Sequence, residues 1–161
     1  MDAKFEALIN AHFGAVAISL YGNQLAINLL TESPSHENIP SAHPLVKQAY
    51  QQIMQYLQQS TAPFNLPITV HGTPFQQLVW QAIAAIPVGQ TATYGALAKQ
   101  IGSGPRAVAN ACGANILPLV IPCHRVLAQN GIGGFMQGKP DGLKIKRWLL
   151  AHEGASGYQY E

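Results

Sequence analysis

Cys123, His124 and Arg125 stand side by side in the run Ile121-Pro122-Cys123-His124-Arg125-Val126. A thiol reacts as its thiolate, and with a usual pKa of about 8.5 most of it is protonated at neutral pH. An imidazole and a cation beside it favour the ionised, nucleophilic form. Two readings follow. Cys123 is either a small buried hydrophobe at the end of the apolar stretch Ile116-Leu117-Pro118-Leu119-Val120, or a nucleophile. The flanking residues weigh against the first reading, since burying a His and an Arg beside it needs partners.

The elements that must position this run divide at about His71-Gly72. Residues 14–20 and 24–30 are apolar runs separated by Tyr21-Gly22-Asn23, the pattern of a β-hairpin. After a loop with Pro34 and Pro40, Pro44 opens a helix with Leu45, Val46, Ala49, Ile53 and Leu57 on one face. Ile68-Thr69-Val70 reads as a short strand. Beyond it the chain reads as helical. Thr73-Pro74-Phe75-Gln76 has the form of a capping box with Pro in the first turn, opening a helix through Leu78, Val79, Ala82 and Ile83. Phe75, Val79 and Trp80 are its expected core residues. Thr93 caps a short helix, Tyr94 to Ile101, and Pro105 opens another that runs to Gly113. The Gly102-Ser103-Gly104 turn between them gives the outline of a helix-turn-helix. A last helix, Gly142 to His152, turns Leu143, Trp148 and Leu149 inward and leaves Lys144 and Arg147 more exposed. The expected fold is α+β: a small N-terminal hairpin-plus-helix domain over 1–70, then a helical, winged-helix-like C-terminal domain over 71–161.

Composition narrows the function. Hydrophobic residues make up 48% of the 161 and charged ones 10%, enough for a packed core. No stretch reaches the roughly 18–20 apolar residues a membrane span requires, and no basic-then-apolar leader opens the chain, so the expected setting is cytoplasmic. Two cysteines, Cys112 and Cys123, suit free thiols in a reducing compartment. They are too few for a Cys-rich zinc site. His12, His36, His43 and His71 are scattered, so no metal or other cofactor is expected. The net charge of +2 is unevenly spread. Residues 1–70 set two basic side chains against four acidic ones; residues 71–161 set seven against three, and no carboxylate lies between Glu37 and Asp141. Such a half suits either a phosphate backbone or a mildly basic solvated surface.

Together these pieces resemble the O6-alkylguanine-DNA alkyltransferases. The resemblance runs through Pro74-Phe75-Gln76, Val79-Trp80, Ile86-Pro87-Val88-Gly89, Thr93-Tyr94-Gly95, Pro105-Arg106-Ala107-Val108, Ala114-Asn115, Ile121 to Val126, Asn130-Gly131, and Trp148 to Gly154, in that order. It covers nearly all of residues 72–154. It implies single-turnover repair of double-stranded DNA carrying O6-alkylguanine, with O4-alkylthymine as a second candidate lesion, by a monomer that is associated with DNA and not with a membrane. By resemblance, Cys123 is the alkyl acceptor, His124 takes its proton through a bridging water, Glu153 orients His124, and Asn115 braces the turn leading to Cys123. The helix opened by Pro105 enters the minor groove. There Arg106 fills the gap left by the flipped nucleotide, and Ala107, Ala109 and Ala111 allow close approach. Arg125 is assigned to the DNA contact. Tyr94, Val126, Phe135, Met136, Lys146 and Trp148 are assigned to the substrate pocket, with the carbonyls of Cys123 and Val126 reading the exocyclic amine. Read without the resemblance, Lys146 is a surface lysine and Glu153 an exposed carboxylate near a helix end.

Three departures from the family pattern stand out. The connection from Tyr94 to Arg106 is two residues shorter than in longer members. Phe135-Met136 replaces a Tyr-Ser pair whose serine would bond the alkylated oxygen. Lys139-Pro140-Asp141-Gly142 reads as an insertion that shapes the rim of the alkyl pocket. Two other functions compete. An alkyltransferase-like lesion sensor would bind and flip the base without removing the alkyl group, but such relatives have another residue in place of Cys123. A Cys-His-Glu hydrolase would leave the paired short helices unexplained.

Overall fold

A computed structural model of the chain describes residues 5–135, 141–155 and 157–158. They form two compact units, Met1–Thr69 and Val70–Glu161. The first is built on three antiparallel strands in the order β1 (Ala7–Ala11), β2 (Gly14–Tyr21) and β3 (Gln24–Leu30), with Ile18 opposite both Ala7 and Ile27. Helix α1 (Pro44–Gln58) packs on this sheet. In β2 five consecutive residues from Ala15 to Ser19 are buried, so both faces are covered and the strand reads as a continuous apolar run. Gly14 has φ 146°, and a Cβ there would sit 2.0 Å from the Leu30 carbonyl oxygen. Only glycine lets the chain enter β2 at that point.

Strand β1 was not expected from sequence. Its five residues, Ala-Leu-Ile-Asn-Ala, have little strand propensity of their own, and pairing with β2 and the bridge from Leu8 to Ile39 hold them extended. Ile68-Thr69-Val70, expected to be a strand, is not one. The Ile68 N–H bonds the Leu66 carbonyl at 2.8 Å, a tight local turn in place of a ladder. In α1, Tyr56 is buried while Leu45 and Leu57 are half-buried.

The second unit contains α2 (Pro74–Ala84), α3 (Tyr94–Ile101), α4 (Pro105–Gly113) and α5 (Gly142–His152), plus two short parallel strands, β4 (Ala92–Thr93) and β5 (Val126–Leu127). Thr73 and Gln76 form a reciprocal capping box at the start of α2. Thr93 caps α3 through Ala96 N, and Gly102 ends it in the left-handed conformation with φ 83°. Helices α2, α3 and α4 pack together around Val79, Ile83, Leu97 and Val108, and the Trp80 indole N–H bonds Ala111 O at 2.9 Å. Several expected core positions differ. Phe75 is half-buried, Leu143 is exposed, and the inner face of α5 is Ile145, Lys146, Leu149 and Leu150. In both helices the buried stripe follows a neighbouring phase of the 3.6-residue period, chosen by the partner that packs there.

Candidate active site

The nucleophile candidate is held by a folded-back loop. Helix α4 ends at Gly113, and Asn115 then takes three bonds. Its side-chain oxygen accepts from Leu117 N at 2.8 Å, and its amide donates to Ile121 O at 2.9 Å and to Cys123 Sγ at 3.2 Å. The Ile121 N–H closes the loop on Leu117 O at 2.9 Å, with buried Leu119 in the left-handed region at φ 78°. That conformation costs a bulky side chain about 1–3 kcal/mol and persists only because the loop is fixed from both sides. Cys123–Arg125 then make a single 3-10 turn leading into β5, so thiol, imidazole and guanidinium point in three different directions.

Two of those directions converge on Glu153. The residue follows the last turn of α5 and is buried. His124 Nε2 lies 2.7 Å from Glu153 Oε2, Arg125 Nε donates to Oε1 at 2.8 Å, and Arg125 Nη2 donates to Oε2 at 3.0 Å. Arg125 Nη1 also donates to Ile86 O at 2.6 Å. An ionised carboxylate can only accept, so Nε2 must carry the proton in the His124 contact. The lone pair is then on Nδ1, which is buried with no hydrogen-bond partner among the described residues. Burial pulls the His124 pKa below its usual 6.5, against the opposing pull of Glu153. At pH 7 the ring is neutral, with a basic nitrogen free to take up a proton.

Cys123 is 6% exposed. The neighbouring Cys112 side chain, with burial, holds the Cys123 thiol well above the usual range. At rest the sulfur is therefore protonated, and reaction needs a base.

A second group of residues meets at Lys146. The side chain is fully buried, with Nζ donating to Val126 O at 2.7 Å and Gly134 O at 2.9 Å and lying 5.9 Å from the centre of the Tyr94 ring. Burial lowers its pKa from 10.5 to about 8. Read from sequence alone as a surface lysine, it is instead a clamp between α5, β5 and the Gly134 segment. The Tyr94 hydroxyl donates to Gly134 O at 3.4 Å, and burial raises its pKa to about 12, so it stays a donor. Gly133, with φ 76°, lets this segment pass close to the Tyr94 ring. The parallel pairing of Ala92 with Val126 and Thr93 with Leu127 sets the start of α3 beside the residue three positions after Cys123.

The other sequence candidates fall into place around this frame. Arg106 is exposed at the start of α4, with Ala107 and Ala109 half-buried behind it. Arg125, assigned from sequence to DNA, is instead buried, its guanidinium engaged by Glu153 and Ile86. The alternative reading of Glu153 as an exposed carboxylate is likewise excluded by its burial. Trp148 stacks on His152 at 4.7 Å. Phe135 is half-buried. Met136, Lys139 and Pro140 lie outside the described residues; of the rim assigned to residues 139–142, Asp141 is exposed with φ 64° and Gly142 is buried at the start of α5. The Val126 and Cys123 carbonyls already accept from Lys146 and from the Val126 N–H. Sequence reasoning passed over Cys112, Ile86 and Gly134. The last two act through backbone carbonyls, which carry no residue-type signal. Cys112 is the chain's one other thiol, and that was its only flag.

Comparison with known proteins gives a consistent result. Residues 74–155 match the family model described as 6-O-methylguanine DNA methyltransferase, DNA binding domain. The chain is 52% identical over 92 residues to a methylated-DNA–protein-cysteine methyltransferase of Salmonella typhimurium, covering 56% of this chain and 52% of that protein. It is 42% identical over 131 residues to the regulatory protein ada of the same organism, covering 80% of this chain and 36% of that protein. It thus spans about half or less of the length of these two curated relatives. The crystal structure of the Mycobacterium tuberculosis O6-methylguanine methyltransferase superposes with a TM-score of 0.75 at 30% identity, covering 91% of this chain and 90% of that one. The structure described as Mycobacterium tuberculosis OGT in complex with DNA gives 0.74 at 32% identity, covering 91% of each.

Proposed function

The chain belongs to the 6-O-methylguanine DNA methyltransferase family, and on that premise we propose that it repairs O6-alkylguanine in duplex DNA by taking the alkyl group onto Cys123. The reaction runs once per molecule. His124 Nδ1, through a bridging water, accepts the thiol proton. The sulfur attacks the alkyl carbon, the carbon–oxygen bond breaks, and its electron pair returns to guanine O6. Glu153 keeps the His124 proton on Nε2 and stabilises the imidazolium as it forms. Asn115 steers Cys123 Sγ by its 3.2 Å contact. Tyr94 donates to the flipped guanine, exchanging its long bond to Gly134 O for one to the base.

Residues 71–161 serve as the DNA-binding and acceptor domain, with α3 and α4 as a helix-turn-helix. Helix α4 enters the minor groove, Arg106 takes the place of the flipped nucleotide, and Ala107 and Ala109 admit the backbone. The start of α4 supports this, since Gly104 offers no side-chain cap to the first N–H groups and no acidic residue lies in the first turn. The partner is double-stranded DNA. The catalytic groups named above all lie within this chain, so the proposed site needs no second copy to complete it. No helix among the described residues is long and apolar enough to cross a membrane.

The observation that carries the reading is the 2.7 Å His124–Glu153 contact one residue from a protonated thiol. The test is intact-protein mass after incubation with a duplex carrying O6-methylguanine. A stoichiometric gain of one methyl group, absent in Cys123→Ser, is expected. Tight binding with no mass change overturns the reading in favour of a lesion sensor.

A further inference from the structure

The acceptor sulfur has a neighbour that alkyl transfer does not use. Cys112 lies in the last turn of α4, half-buried, directly beside Cys123. Cys123 Sγ also lies 3.8 Å from the Cys112 carbonyl oxygen. These are the only two cysteines in the chain, and the fold brings them together across eleven positions. The contact is fixed from both sides. Trp80 ties this turn of α4 to α2 through Ala111 O, and Asn115 holds the Cys123 sulfur.

We propose that Cys112 and Cys123 are a redox pair, which oxidants of the peroxide class close into a reversible disulfide that suspends alkyl transfer and shields the acceptor sulfur. Cys112 reacts first, being the more exposed of the two. The neighbouring Cys123 side chain also lowers its pKa, while Cys123 is held up. The Cys112 sulfur attacks a peroxide oxygen. A sulfur–oxygen bond forms, the oxygen–oxygen bond breaks, and the sulfur is oxidised to a sulfenic acid while the departing oxygen leaves as water with the thiol proton. Cys123 Sγ then attacks the Cys112 sulfur. The sulfur–sulfur bond forms, the sulfur–oxygen bond breaks, and hydroxide leaves with the Cys123 proton as a second water. Two thiols and one peroxide give one disulfide and two waters. The closing step asks the Cys112 side chain to turn toward a sulfur that already lies 3.8 Å from its own carbonyl oxygen.

A single-turnover protein has one acceptor atom to lose. Oxidation of Cys123 to a sulfinic acid would destroy it, whereas a disulfide is restored by a thiol reductant. The suspension of repair rests on Cys123 being the alkyl acceptor, as proposed above; closure of the disulfide does not.

The experiment treats the full chain, without DNA, with one equivalent of hydrogen peroxide, quenches with iodoacetamide and reads intact and peptide mass. The expected product has lost two hydrogen atoms, carries no acetamide label, yields a linked Cys112–Cys123 peptide and returns to the dithiol with dithiothreitol. Cys123→Ser is expected to trap the Cys112 sulfenic acid as a dimedone adduct. In Cys112→Ser, Cys123 is expected to gain oxygen that dithiothreitol does not fully remove. Wild-type protein that keeps both thiols labelled, or gains oxygen without losing hydrogen, overturns the pair. Methyl-accepting capacity should fall in proportion to the disulfide and recover on reduction. If the disulfide forms and capacity is undiminished, the redox pair stands and Cys123 as acceptor is overturned.

Discussion

Replacing Glu153 with Gln separates the two jobs its carboxylate does. It accepts from His124 Nε2 at 2.7 Å and from Arg125 at 2.8 and 3.0 Å, all within a buried cluster. In Glu153→Gln the Arg125 charge stays buried without its counterion. Breaking a buried pair from one side costs about 3–5 kcal/mol. The Gln amide also brings its own N–H groups. If the amide oxygen stays with Arg125, an N–H faces His124, which must then accept on Nε2 and carry its proton on Nδ1. The base disappears from the side that serves the thiol, and general-base assistance worth about 10²–10⁴ in rate is lost. Two assays read these effects apart: the single-turnover rate of methyl gain from O6-methylguanine duplex, followed by intact mass, and the urea midpoint. Arg125→Met is the counter-experiment. It leaves the His124–Glu153 contact in place, so stability should fall with much less loss of rate. A Glu153→Gln protein with a rate within about threefold of wild type, a small part of a general-base effect, and an unchanged midpoint would refute the reasoning.

Three further outcomes are expected. Because burial pulls His124 below 6.5, the native state binds fewer protons than the unfolded chain between its folded pKa and 6.5. Stability therefore falls on acidification through that window, and methyl transfer should stay level through pH 6.5 and drop only at lower pH. A rate already halved at pH 6.5 would contradict this. Gly14→Ala should destabilise the N-terminal unit by about 3 kcal/mol, from backbone strain and the 2.0 Å clash with Leu30 O; an unchanged urea midpoint would be decisive against it. Methylation of Cys123 puts an apolar group against the Asn115 amide, 3.2 Å from Sγ, in a buried site. Overpacking of about 1–3 kcal/mol should lower Tm by several degrees, which a thermal melt of fully methylated protein would test.

What could be read from sequence was largely what the chain decides locally. The Thr73 capping box, the Thr93 cap, Pro105 at the start of α4 and the Tyr21-Gly22-Asn23 turn all act within four residues, and each lies where the structure starts or ends an element. Strand β1 depends on pairing, and the buried faces of α2 and α5 depend on which helix packs there, so Phe75 and Leu143 were misplaced. The Cys-His-Arg run identified the neighbourhood of the site but not the direction of each side chain. A one-turn 3-10 helix turns Arg125 inward, where a sequence reading sends an arginine out to phosphate. Lys146 is the sharpest case. A lysine is buried only if acceptors wait for it, and these are the backbone carbonyls of Val126 and Gly134, 20 and 12 positions away. Cys112 stood out only by its rarity, because nothing in a helix pattern says which thiol a loop will bring alongside.

Glu153 follows Cys123 by 30 positions. The cysteine is therefore made some seconds before the acid that orients its histidine, at ordinary rates of about 5–20 residues per second. During that interval Arg125 has no carboxylate, Lys146 has not yet reached Val126, and the thiol is an unassisted one. His124 and Arg125 gain Glu153 only when α5 docks, so the site proposed above is assembled last, together with the fold.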